Sequence, residues 1–466
     1  MKRPLLLRGL PTSHCVTRKL FAVALLFVAL PTTARAVGQL EPRPLGRDLP
    51  AYQAPVDPGA AAIPEASAEP SGTLTLADAL RAAVSRSPAL AAFSWEVRAR
   101  DAGLLQAGAL PNPALATEVE DFAGSGGRRA FRGSQTTLSF AQLIELGGKR
   151  AKRTRVASIE RDLAAWDYEA SRLSVLTETT KAFVATLALQ ERVGLATEVV
   201  RIANQSLKTV RATVRAGATS PVEASRAGVA AERAAIERTK VERALEAARA
   251  ALAAWWGARS AAFDRVAGDL GSLATPPAFE VLAQALAENP DLARWSAELA
   301  QREAVLANER ALRIPDVTLG VGPRYYADDS SAALVAGFSV PLPLFNRNRG
   351  GVLQAEYRLK RAVNEQAAAQ VAAQVQLRFA YEALAAASAE VEALRARALP
   401  EAEAAYSGAM QAYRTGRFRF VEVLDAQRTL FELRADEIDA LASYHGAAAD
   451  LERLTGAPLA ELSRRP

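Results

Sequence analysis

One plan occurs twice in this chain, about 200 residues apart. Ser87-Pro88 answers Asn289-Pro290, Pro111 answers Pro315, and Phe140 to Leu146 answers Phe338 to Leu344. Further on, Gly217 followed by Val222-Glu223 answers Gly416 followed by Val421-Glu422. The offsets are 202, 204, 198 and 199, so order and spacing are kept together, as a tandem duplication of one structural unit requires. Each copy contains a stretch that only a very long helix satisfies. From Gly148 to about Ala216 there is no proline and little glycine, and Gly351 to Thr415 has Pro400 as its one strong breaker. At 1.5 Å per residue each stretch would reach on the order of 100 Å, more than a compact domain can use.

These helices carry seams. Leu173, Leu176, Thr180, Phe183 and Leu187 recur at spacings of three and four, as do Leu424, Gln427, Phe431, Arg434, Ile438, Leu441 and His445. Such rows mark coiled-coil contact with neighbouring helices, and the abundant alanine lets the walls approach closely. Gly217 and Gly416 fall where each long helix must reverse, because helical pattern resumes after Pro221 and after Phe420. Each half is thus expected to be a hairpin with a remote tip.

Ahead of each long helix the period changes to two. A helix is expected from Thr73 to about Leu110, broken near Pro88 and ended by Pro111-Asn-Pro113. Strands follow over Ala114 to Phe122 and around Gln135 to Ile144, with a loop at 123–129; Leu138, Phe140 and Ile144 share one face and Gln135, Thr137 and Ser139 the other. In the second half Val317, Leu319 and Val321 oppose Thr318, Gly320 and Gly322, while Leu334, Ala336, Phe338 and Val340 oppose Val335, Gly337 and Ser339. Strands of roughly ten residues fit a tilted membrane span. Any half-buried hairpin alternates in this way, however, and four strands cannot close a barrel, so a membrane role demands several copies of the chain.

The formal charge of +6 invites a nucleic-acid reading until the residues are located. Lys2, Arg3, Arg8, Arg18, Lys19 and Arg35 lie in the first 36 positions, where there is no acidic residue; beyond them basic and acidic residues balance at 51 each. A nucleic-acid partner loses its support. That basic stretch leads into an apolar run, Leu20 to Leu30, then Pro31 and Ala34-Arg35-Ala36, the pattern of an export signal cleaved after Ala36. Cys15 precedes the apolar run, so it cannot carry a lipid at a cleaved N-terminus, and the mature chain has no cysteine. Residues 37–72, dotted with prolines, are expected to form a flexible leader.

Site chemistry is sparse. Of the residues that hold transition metals, His445 and Met410 alone survive signal removal, and His445 sits in a helical seam, where a packed side chain is the favoured reading over a ligand. No nucleophile and base stand together and no glycine-rich phosphate loop joins strand to helix, so neither an enzyme nor a cofactor is expected.

The combination of membrane-length strands, 100 Å helical hairpins and export resembles the outer-membrane efflux channel family of the TolC type, over essentially residues 73–456. Its specific words are Leu143-Ile-Glu-Leu-Gly-Gly-Lys-Arg150 with Arg153, and Val340-Pro-Leu-Pro-Leu-Phe-Asn-Arg-Asn-Arg-Gly350. These look most like the branch serving cobalt-zinc-cadmium and copper-silver resistance pumps. The resemblance implies a mainly α fold with a small β part. In it a homotrimer joins a 12-stranded outer-membrane β-barrel to a periplasmic α-barrel, working passively with a periplasmic adaptor and an inner-membrane proton-driven pump of the RND type. Two repeats, 73–275 and 276–456, and a tail, 457–466, make up the folded part. By the same resemblance Gly217, Ser220, Pro221, Val222, Gly416, Phe420 and Val421 contact the adaptor. Glu223, Glu422 and Asp425 would form carboxylate rings there, favouring cations and serving as a gate, unless they are ordinary solvated first-turn residues. Arg226 stands where the second copy has Asp425, and a pair between them across hairpins would lock a closed state. At the base of the sheet lie Gly147, Gly148, Lys149, Arg150, Lys152, Arg153 and Arg155, opposite Asn346, Arg347, Asn348, Arg349 and Gly350. Lipid phosphates or a neighbour's carboxylates are the expected partners of the basic ones, unless these are a merely solvated helix start. The substrate stays open between metal ions, drugs and secreted protein, and a periplasmic coiled-coil scaffold is the rival class.

Overall fold

The computed structural model describes residues 44–60, 69–217 and 219–464. The export signal, Cys15 and the cleavage pattern lie outside the described residues. The first half runs β1 (Gly72–Thr75), α1 (Leu76–Arg86), α2 (Pro88–Gly108), β2 (Ala114–Glu120), β3 (Gln135–Ile144), α3 (Lys149–Arg215) and α4 (Pro221–Ala254). β4 (Phe263–Ala267) and α5 (Phe279–Ala285) lead to the second half. There α6 (Pro290–Ala311), β5 (Val317–Tyr326), β6 (Ser331–Ser339), α7 (Arg349–Ala393), α8 (Leu399–Arg414) and α9 (Phe420–Thr455) follow, closed by α10 (Leu459–Leu462).

The duplicated landmarks are helix starts and stops. Ser87 Oγ accepts from the Leu90 N–H and Asn289 Oδ1 from the Asp291 N–H, each with proline at the first helical position, where its missing N–H costs nothing. Both long helices begin after a left-handed residue, Gly148 at φ +69° and Asn348 at φ +49°. Both end at a glycine at φ +72°, Gly217 and Gly416, whose N–H bonds back to Val214 O and Tyr413 O. α3 is 67 residues, about 100 Å. Its counterpart is interrupted. Pro400 has no N–H to offer the preceding turn, and the chain absorbs this by a π-helical turn over Leu394–Ala398 between α7 and α8.

α3 is the spine, touching α1, α2, α4, α6 and α9. Leu173, Leu176, Phe183 and Leu187 of its expected seam are buried, as are Gln427, Phe431 and Leu441 on α9. Where the halves meet, Phe183, Leu187, Ala440, Leu441 and Val391 enclose β1 and β4, which pair in parallel across some 190 residues of sequence. Thr73 to Thr75 is therefore strand, where a helix start was expected. Gln190 completes this small sheet, its side-chain amide exchanging both hydrogen bonds with the Val266 backbone.

The leader is corrected over its described part. Leu45 and Leu49 pack with Val84, Leu90, Leu173 and Leu176, and Ala54 is buried. Arg172 donates to Leu45 O and Gly46 O, Tyr168 Oη to Tyr52 O, and Arg98 Nε to Ala54 O. The strap turns over residues 44–49 and continues without regular structure to 55, and side chains of α2 and α3 bind its backbone. The C-terminal tail also packs, with Leu459 and Leu462 buried beside Leu451 and Leu454.

Candidate functional site

No helix among the described residues is long and apolar enough to cross a membrane. β2, β3, β5 and β6 form one antiparallel sheet in that order, with both edges unpaired among the described residues. Register puts Leu115 beside Phe140, Phe140 beside Val321, Val321 beside Ala336, and Leu319 beside Phe338, so one face is a continuous apolar row. Those large side chains are exposed. The opposite face holds Glu118, Glu120, Gln135, Thr137 and Arg324; Arg324 bonds Thr137 Oγ1 at 2.8 Å, Gln135 Oε1 at 3.1 Å and Glu120 at 3.1 Å. Hydrocarbon on one side and water on the other satisfies such a sheet. Gly322 lies so close to Leu138 O that a side chain there would strike the neighbouring strand.

At the base, the basic cluster divides. Lys149 is buried with its Nζ 2.7 Å from Asp316 Oδ1, which also accepts from the Leu146 N–H at 2.9 Å. Burial works to raise the Asp316 carboxyl, but these two hydrogen bonds outweigh it and hold it below the ordinary carboxylate value. Arg153 grips Glu145 at 2.6 Å and donates to Ala107 O and Ala109 O; the Glu145 bond raises its own affinity for its proton. Lys152 donates to Gly147 O. The partners expected from lipid or a neighbour are thus found within the chain for these three. Arg150, Arg155, Arg347 and Arg349 stay exposed. Gly147 has φ +69°, and a side chain there would come 2.7 Å from Ile314 Cδ1. Asn348 ties its amide to Glu309, and Gly351 leaves room for that contact. Asn346 accepts from the Asn348 N–H, and Gly350 faces open space.

The two tips lie together. Val210, Ala227, Ala409, Phe420 and Val423 form one core from α3, α4, α8 and α9. Phe420, expected at the adaptor surface, is only 2% exposed and its ring lies 5.5 Å from Tyr413. The exposed residues are Gly217, Ser220, Pro221, Val222 and Gly416, with Val421 half-buried. Sequence reasoning missed Phe418, exposed between Arg417 and Arg419. An aromatic flanked by arginines just after a reversing glycine is a signal that was available. Glu223 and Glu422 occupy the third positions of α4 and α9, and each keeps one carboxylate oxygen buried without a hydrogen-bond partner among the described residues. Arg226 lies 3.9 Å from Glu223, and Asp425 pairs with Arg428 at 2.8 Å. The Arg226 to Asp425 pair is not formed within the chain, although both border a groove of about 780 Å³ between α3, α4 and α9. His445 is a seam residue as expected, its Nε2 2.9 Å from Leu270 O and its ring edge-on to Tyr444.

A two-faced sheet set on helical hairpins whose longer arm reaches about 100 Å is one segment of a membrane channel extended by a tunnel. Residues 79–258 and 281–457 match the family described as Outer membrane efflux protein, and the chain belongs to that family. It is an outer-membrane efflux channel protein and not an enzyme. The chain is 34% identical over 400 residues to the cobalt-zinc-cadmium resistance protein CzcC of Cupriavidus metallidurans, covering 86% of this chain and 94% of that one. It is 31% identical over 285 residues to the nickel and cobalt resistance protein CnrC of the same organism, covering 61% and 67%. Among solved structures, a membrane protein from Pseudomonas aeruginosa superposes with TM-score 0.73 at 22% identity, covering 88% of this chain and 97% of that one, which shows the shared fold.

Proposed function

We propose that three copies of this chain form a passive conduit for heavy-metal cations across the periplasm and outer membrane. The observation that carries the substrate class is the nearly end-to-end likeness to a cobalt-zinc-cadmium resistance protein. Two open sheet edges support oligomerisation, since unpaired backbone groups cannot face hydrocarbon. Twelve strands then close the barrel, with Glu118 on its wetted face, where a carboxylate favours cations, and Glu120 there in its pair with Arg324.

Energy comes from an inner-membrane RND pump, and a periplasmic adaptor docks on the exposed tip residues Gly217, Ser220, Pro221, Val222 and Gly416. The half-buried Val421 borders that surface and Phe420 supports it from beneath. Glu223, Glu422 and Asp425 act as the gate, together with Arg226. The placement of Glu223 and Glu422 in the first turns of α4 and α9, beside the exposed tip residues, supports this. Export follows cleavage after Ala36, without a lipid on Cys15.

Deleting the gene and scoring zinc, cobalt, cadmium and copper tolerance beside dyes and antibiotics tests the substrate. Metal sensitivity that a plasmid copy corrects is expected; a loss confined to dyes and antibiotics would overturn it. Single-channel recording of Asp425→Ala tests the gate, and unchanged open probability and cation preference would remove Asp425 from it.

A further inference from the structure

The β6 alternation does not end with the strand. The last ladder pair is Ser339 with Thr318, and Pro341 and Pro343 then remove the N–H groups that could extend it. Yet the even positions of the apolar face, Leu334, Ala336 and Phe338, continue through Val340, Leu342 and Leu344. Leu342 is 74% exposed, Leu344 62% and Phe345 100%. No strand or helix among the described residues covers them.

Basic groups surround this row. Arg347 donates from Nε to Pro343 O, which ties its guanidinium to the loop carrying the three apolar side chains. Arg349 starts α7, and Arg313 leads into β5, whose first residues pair with the ends of β3 and β6. These three arginines are exposed and none stands within ion-pairing distance of a carboxylate among the described residues, whereas Lys149 and Arg153 at the same level are sequestered by Asp316 and Glu145. The neutralised members hold the sheet to the helices, and the others remain available.

We propose that this base is an anchor for anionic phospholipid in the leaflet next to the helices: Leu342, Leu344 and Phe345 enter the acyl region while Arg313, Arg347 and Arg349 bind headgroup phosphates. The proposal rests on the membrane placement of the sheet, with which the apolar row is continuous. An aromatic and leucines at the hydrocarbon boundary with arginines on the water side is the arrangement an interface selects. Anionic rather than zwitterionic lipid fits because the guanidinium charges have no internal counter-charge.

The full-length oligomer is reconstituted in nanodiscs of phosphatidylethanolamine with phosphatidylglycerol and, separately, of phosphatidylcholine, and retained lipid is counted by native mass spectrometry. Wild type is expected to retain phosphatidylglycerol preferentially and to dissociate at higher temperature in the anionic discs. Arg313→Gln/Arg347→Gln/Arg349→Gln is expected to lose that preference, at roughly fivefold per arginine at low salt, while matching wild type in phosphatidylcholine. Leu342→Ser/Leu344→Ser/Phe345→Ser is expected to lower retention of either lipid. Arg128→Gln, at the far end of the sheet in its pair with Asp121, serves as control and is expected to change nothing. An arginine variant that retains the wild-type preference overturns the proposal. One that dissociates equally early in both discs also overturns it and gives these arginines to a neighbouring subunit's carboxylates. Failure of wild type to enter either disc would overturn the membrane placement along with it.

Discussion

Replacing Arg172 with methionine should release the N-terminal strap. The guanidinium makes two bonds to Glu169, at 2.8 and 2.7 Å, and reaches Leu45 O at 3.0 Å and Gly46 O at 3.2 Å. The side chains of Arg172 and Glu169 are only 3% and 5% exposed. Methionine fills much of the volume but removes two charged hydrogen bonds from the buried Glu169 carboxylate, a change that costs about 3–5 kcal/mol in comparable sites. Two carbonyls of the strap lose charged donors as well. At this end the strap is also held by the Leu45 N–H bond to Gly456 O, and Gly46 sits against Leu176 so closely that only glycine fits. If about 3 kcal/mol of the loss falls on the docked strap, its open population rises on the order of a hundredfold. Arg47 lies inside the strap, so trypsin cleavage after it reports opening directly. Arg172→Met should be cut on the order of a hundredfold faster at the same protease concentration. Glu169→Gln/Arg172→Met should recover part of the difference, since no charge is then stranded. A single variant cut within about twofold of wild type would refute the reasoning and leave the strap's hold to the apolar contacts of Leu45, Leu49 and Ala54 and to its bonds with Tyr168 and Arg98.

Phe420→Ala should cost up to about 3–5 kcal/mol locally, seen as faster hydrogen exchange over 205–230 and 405–430 with the α3 centre unchanged; equal exchange at the tips would place Phe420 outside their core. Gly147→Ala should lower the dissociation temperature of the oligomer more than Gly148→Ala. Both have φ +69°, but only the first meets Ile314, whereas nothing lies near the second. Burial raises the Glu452 carboxyl above its ordinary 4.5 against the opposing Leu459 N–H. The folded state therefore binds this proton more tightly than the unfolded one, and its contribution falls as pH rises from about 4.5 through the raised value. Glu452→Gln keeps the acceptor without the titration. It should match wild type near pH 4 and exceed it at neutral pH in urea unfolding; a constant difference at both would remove Glu452 as the cause.

The long helices, their reversals and the two-faced strands were legible because periodicity is local: Gly217 and Gly416 are read from a few residues on either side. What escaped depends on partners remote in sequence. β1 and β4 are four and five residues long, too short for a period, and exist because each supplies the other's hydrogen bonds. The strap has few apolar residues, and its order comes from Arg172 and Tyr168 more than 100 positions away. Lys149 looked like a solvated helix start because Asp316, its counter-charge, sits in the other repeat. Phe420 looked like surface because a first helical turn is exposed in an isolated hairpin, whereas Val210 and Ala227 of the other tip join Tyr413 in covering it. Which base and tip residues are held by partners and which stay exposed was not legible, because the partners are remote in sequence.

The open edges of the sheet also set a rule for genetics. On the trimeric reading a single copy cannot enter the bilayer, so insertion and assembly are one event and damaged subunits are counted three at a time. In a cell making wild-type and defective chains in equal amounts, only about one channel in eight would be wholly wild type if mixing is random. A variant with an intact β2 or β6 edge but a blocked tip should therefore be dominant over a normal copy. A variant that cannot pair at the edge should be recessive, because it never joins the ring.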